Sequence, residues 1–362
     1  MSDFLARIKG NNQSHQIDAE KLQPMLNLAQ DTFVKHFSPE IYFERSIFIN
    51  WTCAIADCKY CFLSTIPKYN PGKGTKAIRS QASILAEALV CRAMGWKIGY
   101  LTGGLRVETP QYLIDLAQKM EAVINQKTTL NFGPYSRPAI EQYRPHILGM
   151  GAAIESFDEE LHSFICPSKP LPSLLRFLGD LQELQLQKLI TIILGIGERQ
   201  EEVYIAVENI KKYNIEKVQL CFLKPQAGTI FNEIPSPDPY YMAWWIANIR
   251  IACPKVIITI ALVRSQLPNL ALYLRAGANN VTRFLVFKYF GSSLARDLEQ
   301  QCAQAGRTLR GHFMTLPVVD IPSLVDNLPF PAFQKAKILY KAEQYYQKLK
   351  KVEARNKISC PV

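Results

Sequence analysis

Three cysteines, Cys53, Cys58 and Cys61, stand within nine residues in the stretch "FINWTCAIADCKYCFLST". They follow the apolar run "SIFIN", which has the make-up of a β-strand. Thiolates are ligands for zinc and iron, and three on one short loop can be folded toward one point. Three chemistries compete. Structural zinc takes four ligands, often in paired C-x2-C or Cys/His groups. The other cysteines (Cys91, Cys166, Cys221, Cys253, Cys302, Cys360) and the histidines (His15, His36, His146, His162, His312) are scattered along the chain. A redox pair made of Cys58 and Cys61 leaves Cys53 without a task. A [4Fe–4S] cluster held by three thiolates uses all three and keeps one iron open, and an open position on a metal centre is where chemistry can occur.

Other candidate residues stand where apolar runs end. "YLTGGLRVETP" carries Thr102, Gly103 and Gly104, and adjacent glycines let a backbone approach a ligand closely. "AAIESFDEELH" carries Glu155 and Ser156. A carboxylate among apolar neighbours is costly to bury unpaired, whereas Ser156 or Asp158 can equally serve as a helix cap. "IILGIGERQEE" ends on Gly195, Gly197 and Glu198, and "LKPQAGTIF" on Lys224, Gln226, Gly228 and Thr229. "ALVRSQLPN" brings in Arg264, a side chain suited to a two-pronged grip on a carboxylate or to an ordinary ion pair with Glu155 or Glu198.

The elements that must position these residues alternate. Strand-like runs are "SIFINWT", "KIGYLTGG", "TTLNFG", "ILGMGAAIE", "LITIILGIG", "KVQLCFLKP", "KVIITIALV" and "NNVTRFLVF". Between them lie amphipathic stretches such as "TPQYLIDLAQKMEAVINQ" and "RQEEVYIAVENIKKYN". The strands are nearly continuous apolar runs, as a parallel sheet covered by helices requires. Eight of them point to an α/β fold closed as a (β/α)8 TIM-type barrel, with an open doubly wound sheet as the competitor. The expected organisation is an N-terminal helical lead-in over 1–45, the barrel over 46–320 and a basic helical extension over 321–362. In such a barrel the chemistry sits at the C-terminal ends of the strands, which is where the singled-out residues fall.

The chain has 362 residues, 48% hydrophobic and 20% charged, an ordinary globular composition. Nine cysteines are too few for a disulfide scaffold. No apolar run reaches the length of a membrane span, and the polar opening "MSDFLARIKGNNQSHQ" leads us to expect a cytoplasmic protein with reduced thiols. The net charge of +11 is partly local: from Phe330 to Val362 eight Lys or Arg face only Glu343 and Glu353. Apolar residues there recur at helical spacing, so a docked helix with a solvated basic face is expected rather than a nucleic-acid surface. Cys360, in the "KISCPV" tail, is expected to be a plain thiol.

With these residues in place, the chain resembles the radical S-adenosylmethionine (SAM) superfamily. In that superfamily a cysteine triad after the first barrel strand holds a [4Fe–4S] cluster, and SAM chelates the open iron. The usual first spacer is three residues; here it is four, "AIAD". The resemblance implies that Cys53, Cys58 and Cys61 bind the cluster and that Tyr60 packs near the SAM adenine. It also implies backbone contacts to SAM from Thr102, Gly103 and Gly104, although Leu105 stands where an acidic residue is usual. Glu155, Ser156, Gly197, Glu198, Gly228 and Thr229 match positions lining the SAM site in the biotin-synthase-like subgroup, and Arg264 is carried as a further binding residue. "CKYCFLST", "ESFDEELHSFICPSKP" and "LRAGANNVTRF" are similar to HmdB-type proteins, associated with the iron-guanylylpyridinol cofactor of [Fe]-hydrogenase. The implied partners are a small-molecule substrate and a ferredoxin- or flavodoxin-type electron donor. The alternatives are an iron–sulfur electron carrier, or a radical enzyme acting on RNA or another cofactor precursor.

Overall fold

A computed structural model describes residues 7–8, 15–70 and 77–359; Cys360 lies outside them, as do parts of the N-terminal lead-in. Eight parallel strands run in chain order: β1 (Glu40–Phe48), β2 (Lys97–Thr102), β3 (Thr129–Asn131), β4 (Gly149–Glu155), β5 (Gln187–Leu194), β6 (Lys217–Phe222), β7 (Ile257–Ala261) and β8 (Asn280–Thr282). Each pairs with its neighbour in sequence. The sheet closes because β1 pairs with both β2 (Ile47 opposite Leu101) and β8 (Phe43 opposite Val281). The result is the closed (β/α)8 barrel that the alternation predicts, and the open sheet is excluded.

Helices fill the crossovers, and their ends follow local chemistry. Ser80 and Thr109 cap the helices Gln81–Ala93 and Pro110–Ile124 through side-chain oxygens, and Pro110 takes the first helical position, where its missing N–H costs nothing. The lead-in helix Ala19–His36 begins at an Asp18 cap and packs against helix Pro239–Ala252. The C-terminal helix Ala332–Ser359 buries Ile338, Ala342, Tyr346 and Leu349 against the barrel. Lys337, Lys348, Lys350 and Lys351 stay exposed, as expected of a docked helix.

Three features depart from the sequence reading. β1 starts at Glu40, inside the stretch expected to be lead-in. "NNVTRFLVF" yields only a three-residue strand, followed by a helical turn over Val286–Tyr289. A ninth short strand, β9 (Thr308–Arg310), lies parallel to the start of β1, with Glu40 opposite Thr308. Among the described residues no helix is long and apolar enough to cross a membrane.

Candidate active site at the C-terminal mouth

Cys53, Cys58 and Cys61 lie on the loop that leaves β1 at the C-terminal end of the barrel. The loop is pinned at both ends. The Ala54 N–H donates to the Leu105 carbonyl at 3.0 Å, the Tyr69 N–H to the Cys53 carbonyl at 3.0 Å, and the Lys59 N–H to the Ile165 carbonyl at 2.8 Å. The Cys53 sulfur accepts two backbone N–H groups, from Leu105 at 3.3 Å and Ala56 at 3.4 Å. Burial pushes the Cys61 thiol up to about 11. Cys58 goes the other way. The Cys166 thiol, hydrogen-bonded to it, draws it down against the opposing effect of burial, with help from the Lys169 ammonium.

Gly103 and Gly104 serve this loop. A Cβ on Gly104 would stand 1.7 Å from the Thr52 carbonyl oxygen, and one on Gly103 would stand 2.7 Å from Asn50 Oδ1. The Gly104 N–H donates to Asn50 Oδ1 at 2.7 Å. The close approach that the glycine pair permits is therefore made by the chain's own Asn50–Cys53 segment. The Thr102 carbonyl accepts the Ile49 N–H at 2.8 Å, part of the same joint between the first two strands.

Glu155 ends β4 in a left-handed conformation, φ +64°, which is strained for a residue with a Cβ and recurs at functional sites. Its Oε1 accepts the Tyr60 hydroxyl at 2.6 Å and the Lys169 ammonium at 3.1 Å, while Oε2 is buried without a hydrogen-bond partner. Lys169 is itself buried and also donates to the Ala153 carbonyl at 2.6 Å. Burial alone would lower its pKa, but Glu155, Cys166 and Cys58 outweigh that and raise it. His162 ties the assembly, its ring nitrogens 2.7 Å from the Ile154 carbonyl and 2.6 Å from that of Lys169. Ser156 faces elsewhere: its hydroxyl donates to Glu202 at 2.7 Å and accepts the Asp158 N–H at 3.0 Å. Asp158, not Ser156, caps the helix Glu159–Ile165.

Glu198 turns back on its own loop, accepting the N–H groups of Gly195 at 2.7 Å and Ile196 at 2.9 Å, with His15 beside it. Burial lifts its pKa to about 7. Gly197 is left-handed and lies against Ile8 and Leu161. Gly228, φ +80°, leaves room for Thr65 of the cysteine loop, and the Thr229 hydroxyl closes a turn on the Gln226 carbonyl. Arg264 is exposed in a surface groove with Leu267, Pro268, Leu294 and Asp297; it pairs with neither Glu155 nor Glu198.

Thus Tyr60, Glu155 and the three cysteines gather at one end of the barrel, together with three residues that the sequence reading did not single out: Cys166, Lys169 and Arg283. Cys166 and Lys169 sit in the quoted string "ESFDEELHSFICPSKP", where a lone cysteine and a lone lysine carry no signal of their own. Among the described residues no three His, Cys, Asp or Glu side chains converge as a single metal ion requires. In a [4Fe–4S] cubane each thiolate takes a different iron, so the sulfurs stand further apart than around one ion. One loop of three cysteines, with backbone N–H groups on Cys53, fits such a polynuclear group better than a mononuclear zinc site.

No family model matches the chain. It is similar to an uncharacterized protein of Methanocaldococcus jannaschii, 30% identical over 314 residues that cover 86% of this chain and 87% of that one. It is also similar to the biotin synthase of Thermotoga neapolitana, 25% identical over 232 residues, 62% of this chain and 82% of the relative. The fold resembles that of the FeFe-hydrogenase maturase HydG from Carboxydothermus hydrogenoformans, with a TM-score of 0.65 at 15% identity over 99% of this chain and 90% of that one. The chain belongs to the radical SAM superfamily, and within it to one family with the M. jannaschii protein.

Proposed function

We propose that the chain is an enzyme that cleaves SAM reductively and uses the resulting radical to take hydrogen from a small substrate. The observation that carries this reading is the cysteine loop leaving β1 at the mouth of a closed barrel, braced by Gly103-Gly104 from β2. Cys53, Cys58 and Cys61 would hold a [4Fe–4S] cluster, and Tyr60, Glu155 and the backbone of residues 102–104 would adjoin SAM. When bound, the two cofactors supply a 5′-deoxyadenosyl radical, with methionine as the other product.

The chain's own residues orient and enclose. Backbone N–H groups from Ala56 and Leu105 point at the Cys53 sulfur and fix its position. The Lys169–Glu155–Tyr60 chain fixes the wall beside Cys58. A closed barrel suits this chemistry, because a carbon radical left open to stray hydrogen donors is quenched. We assign the electron to a ferredoxin- or flavodoxin-type donor and the protein to a reducing, cytoplasmic setting. The narrower proposal is a step in building the iron-guanylylpyridinol cofactor of [Fe]-hydrogenase. The similarity of "CKYCFLST", "ESFDEELHSFICPSKP" and "LRAGANNVTRF" to HmdB-type proteins supports it.

The test is anaerobic cluster reconstitution followed by dithionite and SAM, with 5′-deoxyadenosine measured beside a Cys58→Ala control. Nucleoside from the native chain and none from the control is the expected result; none from fully reconstituted native protein rejects the enzyme. Deuterated pyridinol precursors then test the pathway, through label transfer into 5′-deoxyadenosine.

A further inference from the structure

Arg283 follows β8 at φ +62°, a second strained strand end at this mouth. Its side chain is solvent-accessible, yet the groups that act on its charge are interior ones: Cys221, Tyr100, Glu155 and Tyr60. Tyr100 belongs to β2, Glu155 ends β4, Cys221 belongs to β6 and Arg283 follows β8. Side chains from alternate strands form one layer inside a barrel of this kind, so Arg283 lines the interior rather than the outer surface.

That interior is polar, and beside the arginine its paired groups leave one carboxylate oxygen, Glu155 Oε2, without a hydrogen bond. The Tyr100 hydroxyl donates to Gln219 at 2.8 Å, and Gln219 donates to the Cys221 sulfur at 3.5 Å. Glu155 holds Lys169 and Tyr60. Burial pushes Tyr100 and Cys221 upward, which leaves both neutral near pH 7. No hydrogen bond or ion pair joins Arg283 to a described residue. A guanidinium is charged at every working pH, and a planar, bidentate anion is the partner that suits it.

We propose that Arg283 anchors a carboxylate of the substrate inside the barrel, which makes the substrate a small organic acid. The word substrate rests on the enzyme reading above; the anion site does not.

Calorimetry on the full chain, cluster-free and reconstituted, tests it with succinate and its uncharged diamide as probes. Succinate should bind and the diamide should not. Arg283→Gln should weaken succinate by about tenfold or more, and Arg283→Lys by less, as loss of a charge-assisted pair implies. SAM affinity should stay within about twofold, since the site is assigned to another ligand. Unchanged succinate binding in Arg283→Gln overturns the proposal. So does an equal loss of SAM affinity, which would make the anion SAM's own carboxylate, or a loss of iron alone. Should the variants not fold, phenylglyoxal labelling of the native chain decides: Arg283 must react, and succinate must protect it. A failure to produce 5′-deoxyadenosine would remove the enzyme and leave these binding results standing.

Discussion

The Tyr60 hydroxyl donates to Glu155 Oε1 at 2.6 Å, joining the residue before the third cysteine to the strained end of β4. Glu155 is nearly inaccessible, and its other anchor is the buried Lys169. Tyr60→Phe removes one charge-assisted bond and should cost about 1.5–3 kcal/mol of unfolding free energy. Lys169→Met strands a buried carboxylate and should cost about 3–5 kcal/mol, part of it recovered in the double variant with Glu155→Gln. Urea denaturation of the three proteins measures both.

Cys166 touches Cys58 but stands on a different element, the end of helix Glu159–Ile165. If three cysteines hold the cluster, Cys166→Ser keeps its iron and its visible absorption after reconstitution, whereas Cys58→Ser loses most of both. Iron and sulfide analysis distinguishes the two. Equal losses would make Cys166 a fourth ligand and leave SAM no open corner.

Gly104 has no room for a methyl group: the Thr52 carbonyl oxygen would lie 1.7 Å from it and the Cys53 Cα 2.6 Å. Gly104→Ala must displace the cysteine loop, since backbone cannot yield as a flexible side chain can. The expected outcome is a folded barrel by far-UV circular dichroism with iron uptake below about half that of the native chain, given the loop's dependence on Leu105 and Asn50.

Glu198 and Glu202 give the stability an unusual pH dependence. Burial raises both from 4.5 to about 7. Each keeps its proton in the folded state where the unfolded chain has released it. Stability therefore falls as pH rises from about 4.5 to 7 and levels off above that, by up to about 3 kcal/mol per group. The groups around Glu202 are Ser156, the Arg199 N–H, Arg7, Asp158 and Glu198 itself. Glu202→Gln can keep the bonds to Ser156 and Arg199 while removing one titration. Melting temperature measured from pH 5 to 8 should slope downward in the native chain and less steeply in this variant.

The barrel was legible because most of its strands are buried on both faces and read as apolar runs; β5 is buried from Lys188 to Leu194. The start of β1 was hidden by the polar floor of the same barrel. Glu44 points inward to Lys217 at 2.5 Å, Asn280 at 3.0 Å and Thr259 at 3.2 Å, so hydropathy dips where the strand begins. The cysteine triad was readable from local spacing alone. Cys166 and Lys169 were not, because their partners Cys58 and Glu155 are brought near only by the fold. Arg283 lay inside a run read as continuous strand, and no composition signals that the strand stops at Thr282. Arg264 was placed correctly at the end of β7, but the turn Arg264–Asn269 carries it to an outer groove.

The far end of the chain reaches the cysteine loop through one arginine. Arg79 donates to the Phe48 carbonyl at 2.7 Å, pairs with Glu87 at 2.8 Å and donates to the Tyr345 hydroxyl at 2.8 Å. Phe48 is the last residue of the strand that delivers the cysteines, and Tyr345 sits midway along the terminal helix. Clipping that helix by proteolysis would unhook the strap across the first strand, so an intact terminal helix steadies a cysteine loop some three hundred residues upstream.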